Sequence, residues 1–405
     1  MLLLFQLFYI VVYLLSFVRN LQCPNEEILN EKLSNIHIPG AAIVVVNQSS
    51  ILYEKSFGYE SIGSSKLIRI NESIFTLASL SKTFLSIGVM QLVELNQLDL
   101  DEDINMYLNE TIVHPLFPSS KITLRHLLSH RASIQSNNEL HLRENDRAFE
   151  EFHLADYCFD YLKSNESNWL KSRPGSETVY SNEGTALIAI IIELVSNMSF
   201  ENYIRKKILK PLNINLNRTS YRLSQIRNSN DLVEQYAYVH NSTEFLLWKQ
   251  TFAQLNISQL NDNYPTWIHI PLFSFPVYPA GLLRMTGSDL AKFIQMFMND
   301  GWPLIRKQSI DEIKEIQSNE SLSDVEFGLI WNWRSYDDGT RFIGHRGTNF
   351  GSTHLMMIDQ SNRIGTLILT NGDMSLPNEL SKTIYTTLTH IHQAIFNCFS
   401  HENIK

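Results

Sequence analysis

The sequence predicts an α/β chain of the α+β type: one antiparallel sheet built from both chain ends, flanked by helices, with an all-helical region inserted between its halves. Three observations carry that prediction. β-rich segments lie near both ends, a long middle region repeats its apolar residues every three to four positions, and no internal repeat, low-complexity linker or composition break divides the 405 residues. With 44% of residues apolar and 19% charged, there is material for a deep core, which excludes disorder and a small disulfide-stapled scaffold. The expected organisation is a leader over residues 1–22 and a single domain over 23–405, in which about 60–285 is inserted into a sheet formed by about 40–58 and 325–372.

The elements follow in chain order. MLLLFQLFYIVVYLLSF carries no charge before Arg19 and has the apolar centre of a secretory signal, with a cut expected between Arg19 and Cys23. The basic leading residues usual in a signal are absent, so a retained N-terminal anchor is the alternative, and membrane association is expected only in that case. Nine Asn-x-Ser/Thr sequons, at Asn47, Asn71, Asn109, Asn165, Asn197, Asn217, Asn241, Asn256 and Asn319, agree with export and make the chain a candidate glycoprotein. Cys23 and Cys398 lie near the two ends of the mature chain. A disulfide can join them if the terminal elements are neighbours, which would leave Cys158 as a buried free thiol.

Residues 26–36 have helical spacing and precede a β-rich pair, 41–47 and 51–57, across a polar turn. Helices are expected at 79–95, 123–130, 149–162, 184–196, 200–209 and 288–299. The stretch 186–195 is the most apolar of these, yet it is short and contains Glu193, so it reads as a core helix and not a membrane span. Residues 213–279 are polar, aromatic and irregular, and two readings stay open for them: the rim of a cleft, or glycosylated surface. From 327 to 371 the period changes to strands, FGLIWNW, RFIGHRG, STHLMMID and IGTLILTNG, separated by turn signals. A last helix is expected at about 377–398.

With 33 basic and 42 acidic side chains, the formal net charge is −9 and no Lys/Arg-rich block occurs, which argues against a nucleic-acid partner. A small-molecule or peptide substrate is expected instead. The sharpest chemical signal is Ser79-Leu80-Ser81-Lys82, the only Ser-x-x-Lys in the chain. Positions i and i+3 share a helix face, so a serine hydroxyl and a partly desolvated lysine can meet, and the amine can take the hydroxyl proton. The second signal is Tyr180-Ser181-Asn182, after Pro174-Gly175. A tyrosine beside an ammonium is expected to have its phenolate favoured, and Asn182 can donate to a substrate carbonyl and brace Lys82. The same spacing at Tyr107-Leu108-Asn109 is discounted because that asparagine is a sequon. The third is His345-Arg346-Gly347-Thr348 on a predicted strand. Gly347 would let a substrate approach the backbone, the following N–H can point at an oxyanion, and His345 can place a positive or hydrogen-bonding group beside Tyr180.

These three motifs in this order resemble the serine β-lactamase and penicillin-binding protein superfamily, and specifically its class C-related branch of β-lactamase-like esterases, D-aminopeptidases and animal β-lactamase-like proteins. ITLRHLLSH, PGSETVYSN, PAGLLRMTGSDLAKF and FGLIW extend the likeness over the chain after Cys23. The resemblance implies a β-lactamase/transpeptidase-like fold and an acyl-enzyme mechanism without a cofactor. It implies Ser79 as nucleophile, Lys82 as its proton partner, Tyr180 as base in acylation and acid for the leaving group, and Asn182 as a ligand of the substrate amide. His345 would stand in the place of the family's third-motif lysine, and the backbone N–H groups of Ser79 and Thr348 would form the oxyanion hole. Two departures matter: Arg346 replaces a small residue and would either grip a substrate carboxylate or obstruct the cleft, and Ala132-Ser133-Ile134 replaces Ser-Gly-Leu.

His126 and His130 are spaced i,i+4, but the Glu of a His-Glu-x-x-His motif is missing and no metal is expected. The acidic run 99–103 reads as a solvated turn without EF-hand spacing. Two functions follow: a secreted serine hydrolase acting on an ester or amide, or a catalytically inactive binding or scaffold protein of the same fold, for which Arg346 and the sequon load are the motive.

Overall fold

The first and last strands of the chain meet in one sheet, Gly40–Val46 pairing antiparallel with Gly365–Thr370 from Ala41 opposite Thr370 to Val46 opposite Gly365. The computed structural model describes residues 23–137, 139–317, 325–373 and 379–400; the leader 1–22 and the sequon Asn319 lie outside the described residues. The strands are β1 (Gly40–Val46), β2 (Ile51–Gly58), β3 (Ile74–Thr76), β4 (Arg143–Glu144), β5 (Gln235–Val239), β6 (Ser258–Gln259) and β7 (Thr266–Ile270). They continue with β8 (Phe273–Ser274), β9 (Arg284–Thr286), β10 (Val325–Phe327), β11 (Asn332–Ser335), β12 (Arg341–Asn349), β13 (Ser352–Asp359) and β14 (Gly365–Thr370). The main helices are α1 (Glu26–Asn35), α2 (Thr83–Glu94), α3 (Leu124–Leu128), α4 (Leu154–Ser164), α5 (Asn182–Ser196), α6 (Gly287–Met298) and α7 (Glu379–Ser400).

The seven-stranded sheet runs β10-β11-β12-β13-β14-β1-β2 with every neighbour antiparallel. β1 reads GAAIVVV and is buried throughout, as a central strand covered on both faces requires. Its alternation splits the core in two. Ala42, Val44 and Val46 join the large cluster beneath the inserted region, while Ala41, Ile43 and Val45 face α1 and α7 with Leu29, Leu33, Ile384, Leu388 and Ile391. On that second face Cys23 and Cys398 are disulfide-bonded with Cα atoms 5.5 Å apart, and Cys158 is a buried free thiol. α5 starts on Ser181, whose hydroxyl accepts from Gly184 N–H at 3.0 Å, and its residues 183–192 are buried in the core.

Three expectations are corrected. The inserted region is not all-helical: it holds the sheets β3-β9, β4-β8 and β5-β7-β6. In the last of these Tyr236 and Tyr238 oppose His269 and Trp267, aromatic cross-strand pairs that stabilise short strands. FGLIWNW is not one strand, because Ile330 adopts φ +71° and bonds to Leu128 O while Leu329 bonds to Ile313 O. The detour seats the Trp331 indole on Phe297, ring centroids 3.8 Å apart. Finally Ser79 stands not in an α-helix but in the 3-10 turn Ala78–Lys82 that precedes α2.

Candidate active site

The serine turn is held from two sides. Leu77 N–H bonds to Leu283 O at 2.8 Å and Leu283 N–H to the Ser81 hydroxyl at 3.1 Å, which fixes the turn to the strand-leading segment before β9. From the other side β12 presses against it at Gly347, where a Cβ would come within 2.6 Å of Leu77 O and 3.2 Å of Leu80 Cγ. Gly347 therefore lets the strand approach the serine turn, a role beside the substrate access expected of it. Ala78, immediately before Ser79, sits in the left-handed region at φ +49°, a strained conformation for a residue with a Cβ.

Within this frame Lys82 Nζ lies 3.1 Å from Ser79 Oγ and donates to the carbonyl of Ala280 at 2.6 Å. No bond from Lys82 to Asn182 occurs among the described residues, so Ala280 does the bracing expected of Asn182. Lys82 is fully buried, and desolvation lowers its pKa to about 7 against a smaller opposing pull from the Glu183 carboxylate. The Tyr180 hydroxyl is close enough to Ser79 for that side chain to favour its phenolate, and Lys82 Nζ lies 4.9 Å from its ring centroid. The residue as a whole is 36% exposed, yet burial around its hydroxyl raises its pKa and outweighs the influence of Ser79. The expected phenolate is thus corrected: desolvation keeps the phenol protonated and brings the titration of the amine to near neutral pH.

His345 points to the same side, its ring centroid 6.3 Å from that of Tyr180. Of the two roles expected for it, positive or hydrogen-bonding, only the second is compatible with its surroundings, because burial and the nearby Lys82 lower its pKa to about 3. Its Nδ1 donates to Arg346 O at 2.6 Å, so Nε2 is left as an acceptor, and it has no partner among the described residues. Arg346 is contrary to both expectations for it. Successive residues of a strand point to opposite faces, and Arg346 lies against α7, its guanidinium 3.6 Å from the Tyr385 ring centroid and bonded to the Thr389 hydroxyl at 3.1 Å. It neither lines nor obstructs the cleft.

Ser79, Asn182 and Thr348 line one cavity of about 150 Å³, closed by Phe275, Val277 and Phe350. The irregular segment thus does form part of the rim, through Phe275 and Val277, while its sequon residues Asn217, Asn241 and Asn256 are exposed. Sequence reasoning missed Glu183, Asn137, Ala280 and His130. Glu183 directly follows the tyrosine motif and lines the cavity with Asn137. His130 is not part of a metal pair with His126: its ring lies against Tyr180, centroids 4.2 Å apart, and its Nδ1 accepts Ser181 N–H at 3.3 Å. His126 instead abuts Gly175, where a Cβ would fall 2.8 Å from Nε2.

A serine hydroxyl, a desolvated lysine and a protonated tyrosine in mutual contact, set between an antiparallel sheet and an inserted region, define a protein of the serine β-lactamase/transpeptidase class. The chain belongs to the Beta-lactamase family, whose model matches residues 25–390. It is 25% identical over 377 residues to Penicillin-binding protein 4* of Bacillus subtilis, covering 90% of this chain and 74% of that protein. It is 24% identical over 254 residues to Protein flp of Staphylococcus aureus, covering 61% of this chain and 48% of that protein, so it spans about half the length of that relative. Among solved structures, the octameric penicillin-binding protein homologue from Pyrococcus abyssi superposes with TM-score 0.70 at 21% identity, covering 90% of this chain and 76% of that one. D-amino acid amidase from Ochrobactrum anthropi SV3 superposes with TM-score 0.68 at 17% identity, over 92% and 97%. These likenesses show the fold.

Proposed function

We propose that the protein is an exported serine hydrolase that cleaves an ester or amide through an acyl-enzyme on Ser79. The observation that carries the reading is the contact of Ser79 Oγ with Lys82 Nζ at 3.1 Å, with that lysine brought to a pKa of about 7 by burial. An amine of this pKa is about half neutral at pH 7, and its lone pair takes the Ser79 proton as the oxygen attacks the substrate carbonyl. The N–H groups of Ser79 and Thr348 receive the developing oxyanion. Tyr180 begins protonated and gives its proton to the departing amine or alkoxide as the tetrahedral intermediate collapses. Water then attacks the acyl-enzyme ester, the Tyr180 phenolate accepting its proton, and the Lys82 ammonium returns its proton to Ser79 Oγ as the acid leaves, which restores both groups. His345 and His130, both held neutral by burial, orient the phenol without adding charge beside Lys82.

Export is supported by the Cys23–Cys398 disulfide, which suits an oxidising compartment, and by the exposure of seven of the eight described sequon asparagines, all but the half-buried Asn47. The position of Arg346 against α7 removes the main motive for reading the protein as an inactive scaffold. The test is covalent labelling of the purified protein with fluorophosphonate and fluorescent penicillin probes, followed by peptide mapping. Labelling confined to Ser79 and lost in Ser79→Ala is expected; absence of both labelling and turnover across ester, D-amino amide and peptide panels would refute the proposal. N-terminal sequencing of the mature protein tests export, a start at Met1 counting against cleavage.

A further inference from the structure

Glu183 is a carboxylate enclosed beside Ser79 that the mechanism above does not use. It is 2% exposed, it lines the cavity, and its Oε2 has no hydrogen-bond partner among the described residues. Burial pushes its pKa up, and the nearby Asn137 and Ser136 donors and the charge of Lys82 offset that only in part. A carboxylate taken out of water without a full set of donors is costly, and a cationic donor arriving with a ligand would offset that cost.

The rest of the lining has the same sign. Glu139 stands at the rim, Asn137 and Asn182 contribute amides, and no lysine or arginine is among the residues that line the cavity, the one cation beside it being Lys82, bonded to Ser79 and half neutral near pH 7. Arg346, the cation that would have gripped a carboxylate, is on the other face of β12. Leu140, Phe275 and Phe350 supply apolar surface, and a volume of about 150 Å³ admits one aminoacyl-sized group. A primary ammonium carries three donors, one of which can serve the unpartnered Oε2.

Resting on the reading of this cavity as the acyl pocket, we propose that Glu183 binds a primary ammonium on the acyl part of the substrate. The site then selects amine-bearing amides and esters over their des-amino counterparts and over ligands that present a carboxylate.

The test separates binding from chemistry by using Ser79→Ala protein, which keeps the pocket and cannot be acylated. Calorimetric titration with both enantiomers of phenylalaninamide, with 3-phenylpropionamide and with phenylalanine is expected to show one phenylalaninamide enantiomer binding at least about tenfold tighter than the other two ligands, as a charge-assisted hydrogen bond implies. Adding Glu183→Gln is expected to abolish that preference, whereas adding Glu139→Gln at the exposed rim retains most of it. Equal affinity of phenylalaninamide and 3-phenylpropionamide, absence of binding by all the ligands, or a preference that survives Glu183→Gln overturns the proposal. The ligand comparison stands without the Glu183 variant, should that variant not fold. Because no acylation is involved, failure here leaves Ser79 labelling intact, and failed labelling leaves this result intact.

Discussion

β12 carries His345, Arg346 and Gly347 as chain neighbours, yet the two faces of the strand hold different environments. On one face His345 stands by Tyr180 and Gly347 touches the serine turn; on the other Arg346 stacks on Tyr385 of the C-terminal helix. The same division runs through the whole sheet, with one core cluster under the inserted region and another under α1 and α7, the latter beside the disulfide of the chain ends. Adjacency in a motif therefore does not confer a shared role. The pleat, with its period of two, assigns each residue to chemistry or to scaffold.

The largest effect expected from this division falls on Lys82. Lys82→Gln should slow fluorophosphonate labelling of Ser79 by about 10²- to 10⁴-fold, the range for loss of a general base. The wild-type labelling rate should climb with pH and level off above about 7, because only the neutral amine accepts a proton and its pKa is lowered to about 7. Below that pH the rate should fall about tenfold per unit, while His345, held near 3, contributes nothing in this window. A flat profile between about pH 5 and 9 would remove Lys82 as the base.

Next comes the face of β12 that meets the serine turn. Gly347→Ala places a methyl 2.6 Å from Leu77 O, so strand and turn must separate. The expected outcome is a loss of about 1–3 kcal/mol in stability and labelling slowed by about tenfold or more, since small displacements of a nucleophile are costly. Denaturant melts run beside labelling kinetics measure both, and wild-type values for the pair would show that the glycine serves substrate access alone.

The smallest effect is expected on the opposite face. Arg346→Met keeps similar bulk over Tyr385, and labelling should stay within about threefold of wild type with stability changed by less than about 1 kcal/mol. A tenfold loss of rate at unchanged stability would return Arg346 to the substrate and erase the contrast between the faces.

Much of this was legible beforehand, and the reasons differ by region. Strand and helix periods located the central elements because burial on one or two faces leaves a repeating apolar signature. The segment 213–279 left little such signature, since β5, β6 and β7 are short and rely on paired aromatic rings instead. The side on which Arg346 lies was illegible because β12 is covered on both faces, so no polar alternation marks which side meets solvent. The place of His130 beside Tyr180 was illegible because its i,i+4 spacing from His126 marks only a shared helix face, and nothing local reveals that Tyr180 occupies the space beside it.

The sequence by itself determined the chemical inventory: a hydroxyl and an amine three residues apart, a tyrosine at the head of a helix, a glycine on a late strand and two cysteines near the chain ends. Those are local facts, fixed by residue type and spacing. Tertiary structure alone decided that the amine loses part of its usual charge while the phenol keeps its proton, because pKa follows desolvation, and desolvation depends on what the rest of the chain lays over each group. It likewise decided that Glu183 is enclosed beside Ser79 and Arg346 is not, a difference of position that no spacing encodes.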